Sequence, residues 1–314
     1  MQRSGGPCRI AGVIPTYNRR DLLERCLGAL LRQTRPLDEI LVIDNASTDG
    51  TGQMVRDKFP AMTDLVRLEK NTGSAGGFSK GFAVAYDRGY DWMWAMDNDA
   101  EPAPDALQEL VNCPYFNDPG TGLLGSLVVD RDGRVQPSHH IRLTRLMKEL
   151  PVTGERCDTD APIGLDAKSY TGSLIRRDAV AAVGLPNSAF FVYQDDWDYS
   201  HRIAMRFKVL LVPRSRVVHG DGKRNAPQAP RLHRALRPSF DERWKVYYSL
   251  RNNAFFMTRH AKVWVRPFVV AKVLCIGMKK VMGVLIFDNH KWQWAGLLLW
   301  AFKDGLAGQL GKRA

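Results

Sequence analysis

An α/β fold built on a mainly parallel sheet is what the first two hundred residues predict, and three observations predict it. Apolar runs of strand length alternate with segments of helical period, polar loops rich in Ser, Thr, Asp and Gly follow the strands, and the unit repeats. The first run, RIAGVIPTYN, ends in a polar turn. In RRDLLERCLGALLRQT, which follows, Leu22, Leu23, Cys26, Leu27, Leu30 and Leu31 recur at helical spacing. EILVIDNASTDGT is a second buried strand that ends at Asp44, and a helix from about Gln53 to Phe59 and the strand DLVRLEK repeat the unit. In such sheets ligands collect at the carboxyl ends of the strands, here the loops after Pro15, Asp44 and Glu69.

A chain of 314 residues can bury a full core, as one large domain or as one domain with a helical appendage. Its five cysteines, Cys8, Cys26, Cys113, Cys157 and Cys275, are scattered, form no CxxC pair and follow no metal-ligand spacing, so they read as reduced thiols. The N-terminal MQRSGGPCRIAGVIP has no long apolar core after its charges, which predicts no secretory signal and a protein that stays inside the cell. Charge is placed unevenly. Residues 201–314 carry 23 Lys and Arg against 5 Asp and Glu, or +18, while the first 200 residues carry 22 against 28, or −6. Such a region suits anionic lipid, phosphate-bearing substrates or nucleic acid, and no nucleic-acid-binding motif accompanies it. Residues 268–287, FVVAKVLCIGMKKVMGVLIF, are interrupted by Lys272, Lys279 and Lys280, and WQWAGLLLWAF at 292–302 is too short to span a bilayer. Lysines interleaved with Trp, Phe and Leu describe helices lying in a membrane interface; a helical subdomain whose lysines face water is the other reading. RNAPQAP at 224–230 has linker composition and sets the boundary between a domain at 1–225 and an amphipathic helical region at 226–314.

The loops exclude two common nucleotide sites, since no GxGxxG follows the first strand and no GxxxxGK[ST] occurs anywhere. Asp44 at its strand end can accept hydrogen bonds from a ribose or a base, and Thr16, Asn18 and Ser47 offer small donors and acceptors. NTGSAGGFSKG, Asn71 to Gly81, combines four glycines with Lys80 just before a helix, where backbone can approach a phosphate. Each loop taken alone is equally explained by tight turns. The run YDWMWAMDNDAEP closes on Asp97 and Asp99, whose side chains share one face of an extended strand and repel unless something positive lies between them. Capping of the helix that PAPDALQELV predicts is the plainer account of the pair.

In order, IPTYNR, VIDNASTDGT, NTGSAGGFSKG and WAMDNDA, continued by YTGSLIRRDAV, VYQDDWDYSHR and VVHGDGKR, resemble the nucleotide-sugar domain of family 2 glycosyltransferases, which adopt the GT-A fold. The resemblance covers residues 9–225. It implies that DND is the family's DxD element, with Asp97 and Asp99 at a divalent cation that bridges the donor diphosphate. His219 is implied as a third ligand, as in galactofuranosyl-transferring relatives. Hard carboxylate oxygens suit Mg²⁺ or Mn²⁺, and an imidazole ligand moves the expectation to Mn²⁺. Donor contacts are implied at Pro15, Thr16, Tyr17 and Arg19 in the first loop, Asp44 and Asn45 in the second, and Asn71, Gly76, Gly77 and Lys80 in the third.

Asp196 of QDDWDY matches the base that takes the acceptor proton in an inverting transfer. By the same resemblance Asp195 and Asp198 orient sugar hydroxyls or basic neighbours, Trp197 stacks on a sugar ring, and Gly172 of YTGS leaves room for sugar. An acidic first turn also suits a helix N-terminus by itself. YYSLRNN recurs in relatives that act on lipid-linked or cell-surface glycans, with Arg251 and Asn252 in reach of a phosphate. Two positions depart from the pattern: Asn98 and Asp198 stand where such relatives often carry Asp and Glu. The expectation is a metal-dependent inverting hexosyltransferase, peripheral on the cytoplasmic face of the cell membrane. It takes a sugar from UDP-galactofuranose, or alternatively dTDP-rhamnose, to a lipid-linked or cell-surface polysaccharide. A catalytically inactive binder of nucleotide sugar or glycan is the competing class, and the complete set of Asp97, Asp99, Asp196 and His219 argues against it. Assembly into a homo-oligomer is left open.

Overall fold

The sheet-forming part of the chain begins with β1 (Ile10–Thr16), α1 (Arg20–Leu31), β2 (Glu39–Asp44), α2 (Thr51–Lys58), β3 (Thr63–Arg67), α3 (Gly73–Asp87) and β4 (Trp92–Ala95). It continues through β5 (Ala100–Pro102), α4 (Ala106–Val111), β6 (Thr121–Val129), β7 (His140–Leu143), β8 (Glu149–Pro151), β9 (Ile163–Gly164) and β10 (Ala167–Lys168). β11 (Ser173–Arg176), α5 (Arg177–Val183), α6 (Asp195–Ala204) and β12 (Lys208–His219) complete it, and α7 (Arg243–His260), α8 (Arg266–Phe287) and α9 (Lys291–Ala307) follow. These assignments come from a computed structural model that describes residues 8–61, 63–220, 243–287 and 290–313.

The main sheet runs β3-β2-β1-β4-β11-β6-β12-β5, with β9 paired to β12. The first four strands are parallel, as the alternating strand and helix pattern requires. β11 is inserted antiparallel between β4 and β6, β6 and β12 are parallel again, and β5 closes the edge antiparallel to β12. Alternate residues of β1 feed two cores. Ile10 and Ile14 pack with Leu23, Leu27 and Leu30 of α1, and Ala11 and Val13 pack with Phe78 and Phe82 of α3. Burial on both faces is why these strands read as unbroken apolar runs.

One element differs from expectation. In sequence Asn71 to Gly81 reads as a glycine-rich loop, and from Gly73 onward it is α3. The glycines serve close packing: a Cβ on Gly77 would lie 2.6 Å from the Pro15 side chain and 2.8 Å from Asn45 Nδ2, and one on Gly81 would lie 2.3 Å from Val13 Cγ1. Glycine therefore lets α3 press onto β1 and β2. In an exposed helix a Gly-to-Ala change stabilises by about 1 kcal/mol, so the sign of Gly81→Ala reports the contact. The variant is expected to lose about 1–3 kcal/mol through overpacking, measured as a lower midpoint in urea unfolding.

The chain divides into two compact units, one holding the described residues of Met1–Arg142, Pro151–Ser188 and Asp196–Gly222, the other those of Leu143–Leu150, Ala189–Asp195 and Lys223–Ala314. The linker and boundary expected around 224–230 lie outside the described residues. In the second unit, Tyr247 and Tyr248 of α7 pack on Ala301 of α9, and Val284 of α8 packs on Trp294 and Leu298 of α9. At Gly305 the backbones of α9 and α7 meet so closely that a Cβ would lie 2.4 Å from the Arg251 carbonyl oxygen.

Candidate active site

Asp97 and Asp99 lie between β4 and β5, beyond the carboxyl end of β4. The antiparallel pairing of β5 with β12 sets His219 opposite Ala100, so the last residue of β12 faces the acidic pair. His219 Nε2 is 3.2 Å from Asp99 Oδ1 and 3.6 Å from Asp97 Oδ2. One ligand atom from each of the three residues lies within 4.8 Å of the others. Arg19 Nη1 is 3.8 Å from Asp99 Oδ2 and adds positive charge.

Electrostatics follow from this geometry. Burial raises Asp97 above the usual carboxylate range. It pushes Asp99 upward as well, but the hydrogen bond and charge of His219, with Arg19, hold Asp99 below that range. Burial opposes charge on His219, yet its bond to Asp99 and the two nearby carboxylates raise it above an ordinary imidazole. Two carboxylates and one imidazole nitrogen converging on a single point fit a divalent cation with hard-oxygen preference and tolerance for nitrogen.

The three side chains are held from behind. The Thr171 hydroxyl donates to Asp97 Oδ2, and the Gly220 N–H donates to the Asp99 carbonyl at 2.8 Å. Asn98 Nδ2 donates to the Pro15 carbonyl at 3.3 Å and to Thr16 Oγ1 at 3.2 Å, tying the acidic segment to the end of β1. A carboxylate at position 98 has no hydrogen to give these oxygens, which accounts for the departure from Asp. Gln136 donates from Nε2 to the His219 carbonyl at 3.0 Å, and its Oε1 lies 3.4 Å from His219 Nδ1. The His139 ring packs edge-on against His219 at 4.9 Å and is kept neutral by burial. Holding Nδ1 in this way leaves Nε2 directed at the carboxylates.

A second set of titratable groups, Lys168 and Asp196, lies within the field of the first. Lys168, only 1 % exposed, donates from Nζ to the Thr171 carbonyl at 2.6 Å. Gly125 makes room for it, since a Cβ there would lie 2.7 Å from Lys168 Cε. Burial lowers Lys168 to about 7 against the attraction of Asp97 and Asp196. Burial also raises Asp196 to about 7, with the charge of Asp97 acting in the same sense. The start of α6 is fixed to β10 by one relay: the Lys168 N–H donates to Ser200 Oγ at 2.9 Å, and that hydroxyl donates to the Asp196 carbonyl at 2.7 Å.

Residues 13–184 match the sequence profile of Glycosyl transferase family 2. The chain belongs to that family. Among curated relatives of this family 2 chain, galactofuranosyltransferase GlfT1 of Mycolicibacterium smegmatis is 29% identical over 199 residues, which span 62% of this chain and 65% of the relative. N-acetylglucosaminyl-diphospho-decaprenol L-rhamnosyltransferase of Mycobacterium tuberculosis is 28% identical over 232 residues, 66% of this chain and 74% of the relative. A solved structure of GalNAc-T7 with UDP, GalNAc and Mn²⁺ superposes with a TM-score of 0.62 at 17% identity, covering 96% of this chain and 56% of that one. The family 2 chain thus has the expected GT-A fold, with C-terminal helices.

The other expected residues of this glycosyltransferase-family site fall into distinct environments. Pro15 and Thr16 are buried at the end of β1, while Tyr17 and Arg19 are exposed beyond it. Asp44 is fully buried, and its oxygens accept from the Ser47 N–H and from Arg67 Nη1, each at 2.8 Å. Asn45 accepts from the Thr72 hydroxyl at 2.8 Å, and Asn71 accepts from the Gly73 N–H at 2.8 Å, which together start α3. Gly76 and Gly77 are buried in that helix and Lys80 is exposed on it.

Three expectations are corrected. The space beside Gly172 is already occupied, since a Cβ would lie 2.7 Å from Ser126 Cβ and 3.0 Å from Val217; its φ of +70° and this packing account for the glycine. Trp197 is 8 % exposed and forms part of the interior, not an open platform. Arg251 and Asn252 are buried and hold backbone instead of facing a phosphate. Arg251 Nη2 donates to the Phe190 carbonyl, and Asn252 Nδ2 donates to the carbonyls of Phe190, Val192 and Tyr193 at 2.7–3.1 Å. The segment they grip contains Phe191, Tyr193 and Gln194 at positive φ, a costly conformation for such side chains. Asp195 is buried at the first turn of α6, and Asp198 orients Arg202 at 3.0 Å. Sequence reasoning missed Lys168, Gln136 and His139. None sits in a recognisable motif, and only the packing around Gly125 shows a lysine to be buried.

Proposed function

We propose that the chain is a metal-dependent inverting glycosyltransferase that uses a nucleoside-diphosphate sugar and works at a membrane surface. The observation that carries the reading is the convergence of Asp97, Asp99 and His219 on one point, with Asp196 and Lys168 beside it. Asp97, Asp99 and His219 would hold the divalent cation, with Mn²⁺ preferred, and the cation would stabilise charge on the departing diphosphate. Asp196 takes the proton of the acceptor hydroxyl. Its raised affinity for that proton suits a group that must hold it transiently. While protonated, below about pH 7, Lys168 supplies a positive charge within the field of both Asp97 and Asp196. It counters the repulsion that two neighbouring carboxylates would otherwise feel.

Likeness to a galactofuranosyltransferase, 29% identical over 62% of the chain, supports UDP-galactofuranose as donor. The rhamnosyltransferase relative supports dTDP-rhamnose as the second reading. A lipid-linked glycan as acceptor fits the lipid-linked substrate named for that relative. No helix among the described residues is long and apolar enough to cross a membrane. Trp264 between α7 and α8, Phe268 of α8 and Trp292 of α9 are each at least 65 % exposed and, with the lysines of this region, support a peripheral position, which we place on the cytoplasmic face.

Calorimetric titration with UDP and with dTDP, each with Mn²⁺ and with a chelator, tests the reading. Metal-dependent binding of UDP over dTDP is expected. A preference for dTDP would move the donor to rhamnose, and binding of neither to folded protein with metal present would overturn the proposal.

A further inference from the structure

The turn of Ser169, Tyr170, Thr171 and Gly172 joins β10 to β11 and connects by hydrogen bonds to the acidic pair on one side and to His219 on the other. On the first side the buried Thr171 hydroxyl donates to Asp97. On the second the path is longer. Ser169 Oγ lies 2.6 Å from His139 Nδ1, His139 Nε2 lies 3.1 Å from Gln136 Oε1, and the same Oε1 lies 3.4 Å from His219 Nδ1. The turn itself is pinned. Lys168 Nζ donates to the Thr171 carbonyl at 2.6 Å, the Ser173 hydroxyl donates to the Ser169 carbonyl at 2.6 Å, and the Gly172 N–H donates to the Ala95 carbonyl at 3.0 Å, at the end of β4.

Gln136 fixes the direction of each bond in the longer path. Its Nε2 faces two carbonyls, that of His219 at 3.0 Å and that of Val129 at 3.4 Å, which places the donor end of the amide there and leaves Oε1 to the two rings. A carbonyl oxygen only accepts, so His139 Nε2 and His219 Nδ1 both carry hydrogen. Burial keeps His139 neutral, so its Nδ1 is bare and the Ser169 hydroxyl is the donor to it. The Ser169 N–H adds a second bond, to the His139 carbonyl at 3.2 Å. Buried polar groups need partners in any fold; here the partners also leave each ring a single tautomer. With Nδ1 committed, His219 can meet a cation only through Nε2.

We propose that this turn is the common brace of the cation site: Thr171 holds Asp97 directly, and Ser169, through His139 and Gln136, holds His219 in one tautomer. Ser169, His139 and Gln136 are thus positioning residues, and none of them is itself a ligand. The two arms leave from residues two apart in one pinned turn, so Asp97 and His219 keep their spacing before a cation arrives. All of these residues belong to one compact unit. The brace is read from the hydrogen bonds, and only the holding of a cation by the side chains it serves rests on the function proposed above.

The test uses the full-length protein and two readouts. Mn²⁺ alone is titrated, with the free ion followed by electron paramagnetic resonance, and the His139 tautomer is read from a long-range ¹H–¹⁵N spectrum of the metal-free protein. Hydrogen is expected on Nε2 of His139 and none on Nδ1. Gln136→Leu and Ser169→Ala are each expected to weaken Mn²⁺ binding about tenfold or more, the range for outer partners of a metal ligand, although two side chains separate Ser169 from His219. Thr171→Val should weaken Mn²⁺ to a similar degree, and Thr171→Ser, which keeps the hydroxyl, should bind it as the unaltered protein does. If Gln136→Leu fails to fold, the Thr171 pair and the spectrum decide. Hydrogen on Nδ1 of His139, Mn²⁺ affinity indifferent to Gln136→Leu and Ser169→Ala, or Thr171→Ser as weak as Thr171→Val would overturn the brace. Failure of the unaltered protein to bind Mn²⁺ would count against the function proposed above, and the His139 spectrum would still judge the brace.

Discussion

Asp196→Asn is expected to reduce sugar transfer by about a thousandfold, within the range ascribed to a positioned general base, while metal-dependent UDP binding changes less than about twofold. The amide keeps the shape of the carboxylate and cannot take a proton. Because burial places Asp196 at about 7, the fraction competent as a base grows as pH rises. In the unaltered enzyme kcat/KM should therefore climb about tenfold per pH unit below 7 and level off above it. Any residual activity of the Asn variant should lack that limb. Loss of UDP binding on the scale of the loss in rate would remove Asp196 from the role of base.

Asp99→Ala is expected to weaken UDP binding about a hundredfold in the presence of Mn²⁺ and to leave binding in chelator nearly unchanged. Asp99 is the carboxylate closest to His219 and carries the lower proton affinity of the acidic pair, so it is the one most fully charged near neutral pH. Its removal also takes away the hydrogen-bond partner that, together with the charge of Asp97, raises His219. Titration of the variant with Mn²⁺ alone reads the metal site without the nucleotide. Equal weakening with and without metal would exclude Asp99 as a ligand.

What the sequence discloses here depends on how many interactions a residue's role requires. The parallel strands are legible because burial on both faces leaves a continuous apolar run, as in IAGVIPT and EILVID. Asp97, Asp99 and His219 are legible through the order of motifs, since the pairing of β5 with β12 is not visible in either segment alone. The glycines of α3 are misleading for a physical reason: close approach to a strand and close approach to a phosphate demand the same missing Cβ. Arg251 and Asn252 mislead in a related way. Polar groups suited to a phosphate are equally suited to the backbone carbonyls of a left-handed segment. Lys168 is the least legible, because its burial depends on a glycine in β6 and a carbonyl in the turn before β11.

The edge pairing of β5 with β12 also bears on how the protein is made. Asp97 and Asp99 emerge from the ribosome long before His219, and the strand that carries His219 is the last of the sheet to be synthesised. Contacts so distant in sequence form late, after much of the chain's entropy has been lost. A nascent chain that has finished the first four parallel strands therefore holds the acidic pair without its third member. Competence to gather all three side chains arrives as a single late event, when β12 enters between β6 and β5, so a chain halted before that strand carries most of the fold and none of the assembled site.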